Sequence, residues 1–235
     1  MTKDEIMKML EALGTEETKK THASHGAKEP FFGVKVGDMK PIQKKIKKDY
    51  ALALELFDTG NSDAQYLAGL IADETKMSKK DLNNWVKKAS WNMISEYSVA
   101  WIAAESKHGC ELALEWIESK NEQIAASGWS TLANLVALQP DGELDIKKLE
   151  TLMTLVTKKI HTAPNRVKYT MNNFIICTGC YVAPLSDKAK KAAAEMGVVR
   201  VNMGDTDCNI PDAKSYIKKV VDMGRLGKKK KEARC

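Results

Sequence analysis

A stretch rich in cationic and aromatic side chains, residues 158–173, is the part of the sequence best suited to bind a polyanion. Lysine and arginine pair with phosphate oxygens, and an aromatic ring can stack on a base or a cation. The candidates are Lys158, Lys159, His161, Arg166, Lys168, Tyr169 and Asn173. At helical spacing a polar face opposite the apolar stripe is formed by Arg166, Tyr169, Thr170 and Asn173. This face is either a nucleic-acid surface or an ordinary solvated face.

The overall charge agrees in sign with a polyanionic partner. The 235 residues include 37 lysines and arginines against 31 acidic residues, a formal net charge of +6. Lysines dominate, since the arginines are limited to Arg166, Arg200, Arg225 and Arg234. Lysine contacts phosphates as a point charge, whereas arginine reads base edges through two parallel hydrogen bonds. Any nucleic-acid binding is therefore expected to depend on salt and to show little sequence preference.

Motifs for metal, redox or nucleotide chemistry are incomplete. Cys177 and Cys180 have CxxC spacing, but two further zinc ligands are missing, and the pair ends a helical pattern instead of opening a helix after a strand. His22 and His25 lack a third ligand at a clear spacing. No phosphate-binding or dinucleotide fingerprint occurs. We therefore expect reduced core cysteines, no metal site, no nucleotide and no other cofactor.

The elements that must position these residues are helices. Most segments repeat apolar residues with the 3.6-residue period, and only six prolines and fourteen glycines interrupt the chain. Thr2 with Glu5 and Ser78 with Asp81 have the spacing of capping boxes, and Asp212 follows Pro211 at another helix start. The pattern predicts an all-α protein of about a dozen helices. Four tryptophans are assigned to packing: Trp85, Trp101, Trp116 and Trp129.

An internal repeat indicates how the helices are arranged. The segment from Leu52 to Asn61 returns as Leu112 to Asn121, and each copy is a short helix followed by a turn that ends in Asn. A degenerate third pair is formed by residues 149–161 and 165–178. Helix pairs that recur along a chain bury their apolar faces by stacking into a solenoid. We expect one repeat domain over residues 1–226.

Two segments depart from the helical pattern. Residues 198–203 and 208–210 alternate apolar and polar side chains around a polar turn, which predicts a β-hairpin over 198–210. Residues 227–235 are basic and have no apolar face, so they are expected to form a flexible tail.

Three features together resemble a known family. They are the turn Phe31–Met39 with its Phe-Gly-Val sequence, the helix-pair repeat, and the segment Ser90–Glu96. This combination resembles the DNA alkylation repair proteins of the AlkC/AlkD superfamily, from about Thr2 to Ala194. The resemblance implies HEAT-like repeats in an α-α superhelix with a basic concave groove. The active members are DNA glycosylases that excise alkylated purines.

The same resemblance assigns candidate site residues. Active members place an Asp four residues after a Trp, to stabilise the cationic sugar formed as the base leaves. Trp91 matches the aromatic residue, but Ser95 occupies the Asp position, with Glu96 beside it. The family's arginine falls at Ala125 and Ala126. The candidate catalytic residues are Trp91, Ser95 and Glu96, whether the chain is an enzyme stays open, and a core role for Trp91 stays an alternative. A further aromatic is matched by Phe174, which joins the DNA-binding candidates.

The sequence therefore predicts a DNA-binding protein that grips the backbone of branched or damaged DNA. The alternatives are an active glycosylase for alkylated purines and a HEAT-type scaffold for proteins. Lys44 and Lys48, on the basic helix after the Phe-Gly-Val turn, are expected to add to the DNA surface. No apolar run approaches the roughly 20 residues of a membrane span, so a cytoplasmic location without membrane contact is expected. The protein is expected to be a monomer.

Overall fold

The computed structural model describes residues Met1–Arg234, which form thirteen α-helices and no β-strand. The helices are α1 Lys3–Leu13, α2 Glu16–Ser24, α3 Val36–Ile46, α4 Tyr50–Phe57, α5 Ser62–Ile71, α6 Lys79–Lys88, α7 Ala100–Glu105, α8 Gly109–Trp116, α9 Glu122–Leu138, α10 Ile146–Lys159, α11 Asn165–Tyr181, α12 Ser186–Met196 and α13 Ala213–Asp222. A π-helical segment, Ile94–Val99, runs directly into α7. None of these helices combines the length and apolarity of a bilayer crossing.

Helix starts follow the local sequence signals. Asn61 and Asn121, the last residues of the two repeat copies, each accept hydrogen bonds from the backbone N–H groups two and three residues later. Both predicted capping boxes, at Thr2 and Ser78, are present with reciprocal hydrogen bonds. Asp212 caps α13 in the predicted position. These side chains satisfy the free N–H groups of the first helical turn, which stabilises each cap by about 1 kcal/mol.

The chain divides into two compact units. Unit 1 comprises Met1–His108, Met203–Asp207 and Arg234, and unit 2 comprises Gly109–Asn202 and Cys208–Ala233. In unit 1, α4 packs on α5, and α5 packs on the π segment. In unit 2, α8 packs on α9, and α9 makes its most extensive contact with α11. The predicted third pair differs, because α10 packs more on α12 than on α11. The single domain over residues 1–226 stays a prediction.

Buried aromatic rings hold the helices together. Trp85 stacks on Phe57 with 4.1 Å between ring centroids and 8° between planes. Trp101 meets the ring of Tyr66 edge-on, and Trp129 lies 5.3 Å from Phe174. Trp116 is 2% exposed. The assignment of these four tryptophans to the core is confirmed, and their large apolar area makes them major contributors to stability.

The prediction of a β-hairpin over residues 198–210 is wrong, because the described residues there form no strand. In unit 2 the side-chain amide of Asn165 forms two hydrogen bonds with the backbone of Asn202. It donates to the carbonyl and accepts from the N–H, both at 2.8 Å. Asn172 donates in the same way to the carbonyl of Pro211. In unit 1 the backbone of Gly204, with φ of 79°, lies against the carbonyl of Ser24. Side chains of α11 thus form hydrogen bonds with backbone groups of this segment, which in a hairpin would pair with the opposite strand.

Two residues of the segment that was predicted to be a flexible tail, Lys229 and Arg234, form specific contacts with the rest of their unit. In unit 2, Lys229 donates to the carbonyl of Val136 and pairs with Asp141 at 2.9 Å. In unit 1, Arg234 contacts the carboxylates of Glu74 and Glu105 and donates to two carbonyls of the α5 end. Its side chain is only 8% exposed. Cys235, the end of the predicted tail, lies outside the described residues.

Candidate nucleic-acid interface and the Trp91 cavity

The Phe-Gly-Val turn of unit 1 is held by a single carboxylate. Asp63, at the start of α5, is 2% exposed. It accepts hydrogen bonds from the backbone N–H groups of Phe32 at 2.6 Å, and of Gly33 and Val34 at 3.0 Å each. Gly33 has φ of 78°, and a Cβ there would meet the backbone of Lys19, so only glycine fits. The turn and the start of α5 are therefore one rigid support.

A cavity lies beside this support. It is small, with a free volume of about 10 Å³, which is roughly the space of one water molecule. Its walls include the side chains of His22, Val36, Met39, Tyr66, Trp91 and Met93. The indole Nε1 of Trp91 and the Nδ1 of His22 are buried without a hydrogen-bond partner among residues 1–234. Unpaired buried polar atoms are costly, and the Nε1 of Trp85, which does not line this cavity, is buried in the same way.

The environment of His22 favours the neutral imidazole. Burial lowers its pKa below the usual 6.5, which outweighs the opposing effect of the Asp63 charge, while His25 lowers the pKa further. The imidazole lies 5.8 Å from the ring of Trp91 and 6.1 Å from that of Phe31. The sequence indicated His22 only as a weak metal candidate. Within residues 1–234 no group of three or more possible metal ligands occurs.

The three catalytic candidates lie at or next to the π-helical segment, and all are buried. Trp91 is 7% exposed and lines the cavity. Its burial agrees with a core role, and the site role stays a prediction. The hydroxyl of Ser95 is fully buried and donates to the carbonyl of Asn92 at 3.2 Å. Glu96 is 3% exposed. Inserted π turns often occur at functional sites, and this one contains the position of the family's carboxylate.

The position of the family's arginine has no polar side chain. In unit 2, Ala125 and Ala126 lie in α9 and are 4% and 0% exposed. Two methyl groups in a packed helix cannot contact a phosphate. Together with Ser95, they remove two charged groups from the pattern that the resemblance implies for an active glycosylase.

The cationic stretch of unit 2 brings most of its predicted members to the surface. The guanidinium of Arg166 lies over the ring of Tyr169, 4.3 Å from its centroid, at the start of α11. Lys158 and Lys159 end α10 and are exposed, and His161 follows them with Nε2 2.8 Å from the carbonyl of Met196. Lys168 and Asn173 are half-exposed. We call the residues Lys158, Lys159, His161, Arg166, Lys168, Tyr169 and Asn173 the cationic surface.

Thr170, which was predicted for the polar face, and Phe174, which the family resemblance added to the DNA-binding candidates, lie inside the protein. Phe174 is 0% exposed and packs against Trp129, so it cannot stack on DNA. Thr170 is also fully buried, and its hydroxyl donates to the carbonyls of Arg166 and Val167. Thr170 is buried because α11 is covered by α9, α12 and α13, so its buried face is wider than one apolar stripe. Phe174 lies on the apolar side of α11.

The two lysines predicted from the basic helix of unit 1 differ in their surroundings. Lys44 is exposed in the last turn of α3. Lys48, just beyond that helix, forms an ion pair with Glu74 at 2.5 Å. A lysine that already has a carboxylate partner must break that pair to contact a phosphate. Lys44 is therefore the better placed of the two for an anionic partner.

The CxxC pair has no redox signature. Cys177 and Cys180 are free thiols near the end of α11. Burial raises the pKa of Cys177 to about 12 and that of Cys180 to about 11. Reactive cysteines have a lowered pKa, because the thiolate is the nucleophile. These thiols are structural.

Comparison with known proteins agrees with this architecture. Recurring helix pairs in an all-helical chain, with a cationic surface in one unit and a tryptophan-lined cavity in the other, define a HEAT-like repeat protein. A solved structure covers 100% of both chains with a TM-score of 0.92 and 41% sequence identity. That protein represents a new family of proteins that are related to the HEAT-like repeat DNA glycosylases and have affinity for branched DNA structures.

Sequence relatives give the family. The model of the DNA alkylation repair enzyme family matches residues 6–189. The uncharacterized proteins Lmo0209 of Listeria monocytogenes and Lin0241 of Listeria innocua are each 32% identical over 225 residues, which is 93% of this chain and 97% of each relative. The chain belongs to the DNA alkylation repair enzyme family. The predicted resemblance is confirmed.

Proposed function

We propose that this protein binds DNA through its sugar-phosphate backbone and prefers branched forms. The observation that carries the proposal is the solved relative with affinity for branched DNA, to which this chain is 41% identical over its full length. The cationic surface gives the physical means. Its exposed lysines neutralise phosphates and release counterions, and the stacked Arg166–Tyr169 pair adds a fixed cation beside an aromatic ring.

A preference for branched DNA follows from the type of contact. Phosphate contacts fix a protein on the nucleic acid but carry no base sequence, so discrimination must come from the shape of the backbone. Lysines contribute most of the positive charge of this chain, and they suit such sequence-independent contacts. Damaged DNA shares the distorted backbone of branched DNA and is a second target of the same recognition.

A gel-shift panel tests the binding. Single-stranded, duplex, nicked and three-way branched DNA of one sequence are titrated with the protein at two salt concentrations. We expect the branched form to bind most tightly and affinity to fall steeply with salt. Arg166→Ala should weaken all forms and reduce the salt slope by about 1. Arg225→Ala, an exposed arginine outside the cationic surface, is the matched control.

Two results would contradict the proposal. One is binding that does not change between low and high salt, and the other is no retention of any DNA form at low salt. The second result would favour the alternative of a protein-binding scaffold.

We further propose that the chain lacks the base-excision chemistry of the active family members. Ser95 supplies a buried hydroxyl dipole in place of a carboxylate, and Ala125 and Ala126 replace the cation. A single-turnover assay with DNA containing methylated purines should show no base release above the uncatalysed background. Release that is lost in Trp91→Ala would instead establish the alternative of an active glycosylase, with Glu96 as the remaining carboxylate.

The assembly and location belong to the same proposal. We propose that the protein acts as a monomer in the cytoplasm, where reduced thiols such as Cys177 and Cys180 persist. Light scattering after gel filtration should give a mass near 26.1 kDa. A mass of twice this value would show a dimer.

A further inference from the structure

α13 and the residues that follow it form the most basic part of unit 2. Residues 212–232 contain eight lysines and arginines against three acidic residues, so they carry +5 of the chain's formal net charge of +6. All of these cations except Lys229, which pairs with Asp141, are exposed. A concentrated positive charge raises the local concentration of a polyanion. This part of unit 2 therefore attracts an anionic partner.

One flank of α13 combines this charge with exposed apolar side chains. Tyr216 is 46% exposed, and Met223, directly after the last turn, is 55% exposed. The two residues are seven positions apart, so they lie on the same flank of the helix, and Lys219 lies between them. The neighbouring Lys218 instead pairs with Asp222 at 2.5 Å. We call Tyr216, Lys219 and Met223 the Tyr216 face.

The opposite flank of α13 is anchored in the core of unit 2. Ala213 and Ile217 are 4% and 0% exposed. A Cβ at Gly179 of α11 would lie 2.5 Å from the Cδ1 of Ile217, so the two helices pack closely there. Asn172 of α11 donates to the carbonyl of Pro211, just before α13, at 3.0 Å. The Tyr216 face is therefore preformed, and binding to it costs little backbone entropy.

The side chains of the Tyr216 face suit the exposed bases of a DNA branch point. A tyrosine ring stacks on any base, and methionine inserts as an apolar wedge beside an unstacked base. A lysine between them neutralises the adjacent phosphate, and lysine is depleted in the core of protein–protein interfaces, which favours DNA over a protein partner. Inside a duplex every base is covered on both sides, whereas a base at a branch point has one free side. A face of this composition therefore favours branched over continuous DNA.

We propose that the Tyr216 face binds the unstacked bases at the branch point, while the cationic surface holds the backbone of one arm. This inference rests on the proposed DNA binding, and it names the element that separates branched from duplex DNA. Gly179, on which α13 packs, lies ten residues beyond Tyr169, which is about 15 Å along α11. Phosphates of one strand follow each other at about 3.4 Å, so about four to five nucleotides span this distance. One junction can therefore reach both surfaces of unit 2.

The test compares a three-way junction with an unbranched duplex that has the sequence of two of its arms. Tyr216→Ala should weaken junction binding roughly five- to tenfold, the lower part of the range for stacking on one base, and leave duplex binding unchanged. Tyr216→Phe keeps the ring and should bind both forms as the wild-type protein does. Arg166→Ala, in contrast, should weaken both. An unchanged junction preference in Tyr216→Ala would overturn the proposal and leave the Tyr216 face to an acidic protein partner.

The exposed methionines give a matched control. Met223→Ala should reduce the junction preference, whereas Met9→Ala, which truncates a 37% exposed methionine of α1 in unit 1, should keep it. Arg225→Ala removes a cation of the same basic segment outside the Tyr216 face and should also keep the preference. Equal effects of the two methionine variants would count against a contact through this face.

A second readout separates this inference from the proposed function. A junction carries iodouracil either at the branch point or in the middle of one arm, and ultraviolet light links this base to an aromatic ring stacked on it. The branch-point probe should crosslink to Tyr216, identified by mass spectrometry of the peptide, and the arm probe should not. Junction binding without this crosslink refutes the base contact and leaves the proposed function intact. No binding of any DNA form by the wild-type protein refutes both.

Discussion

Lys47 shows backbone strain at a single residue. It ends α3 with φ of 64° and ψ of −115°, and it is the only residue other than glycine with positive φ in residues 1–234. Glycine reaches this region without a Cβ clash. We expect Lys47→Gly to raise the free energy of unfolding by about 1 kcal/mol, since the relief of strain exceeds the added entropy of the unfolded chain. Urea denaturation measures the change.

The neighbouring lysine gives the control. Lys45 lies inside the last turn of α3. Lys45→Gly should lower the free energy of unfolding by about 0.5–1 kcal/mol, because glycine disfavours a helix. If both variants were destabilised alike, the strain at Lys47 would be refuted.

His22 links stability to pH. Burial lowers its pKa in the folded protein, so the unfolded chain, with a value near 6.5, binds the proton more readily. Its contribution is therefore fully present above that value and is lost as pH falls below it. The free energy of unfolding should decline more between about pH 7.5 and about pH 5.5 in the wild-type protein than in His22→Gln. Equal declines would show that His22 is not the group responsible.

The π segment packs closely against α5 at Gly69. A Cβ at this position would lie 2.7 Å from the Cβ of Ser98 in the π segment. Overpacking of this kind costs about 1–3 kcal/mol, against a gain of about 1 kcal/mol in helix propensity. Gly69→Ala should therefore lower the midpoint of thermal unfolding. Gly37→Ala, in α3 with nothing within 4 Å of its new Cβ, should raise or preserve it.

At the scale of elements, the sequence was most informative about helix ends. The caps at Asn61, Asn121 and Ser78 were predictable because each depends on side chains within three residues. The buried extent of α11 was not, because it depends on how many other helices cover it. Thr170, predicted for the polar face, lies inside for that reason. An apolar stripe indicates the minimum buried face of a helix, and tertiary packing sets its final width.

At the scale of the whole molecule, the C-terminal segment contributes to the fold. Arg234 places one guanidinium between Glu74 and Glu105, whose side chains are 15% and 13% exposed. Arg234→Ala removes that cation from two partly buried carboxylates, of which Glu74 keeps its ion pair with Lys48, so we expect a loss of about 1–3 kcal/mol in the free energy of unfolding. Lys231→Ala, at an exposed position of the same segment, should change it by less than about 0.5 kcal/mol. Equal effects of the two variants would show that the Arg234 contacts do not stabilise the folded protein.

Local sequence determined that this protein is helical, where its helices begin, and that its helix pairs repeat. Periodicity, caps and the Phe-Gly-Val turn act over a few residues, so the chain carries that information directly. The family resemblance came from the same short motifs.

Tertiary structure alone decided the features that depend on distant partners. Asn165 binds the backbone of Asn202, where local alternation predicted a strand. The cavity beside Trp91 takes walls from segments between residues 22 and 94, and Arg234 finds its carboxylates more than a hundred residues away. The partner of each of these polar groups is determined by the packing of the whole chain, so no local sequence pattern predicts it.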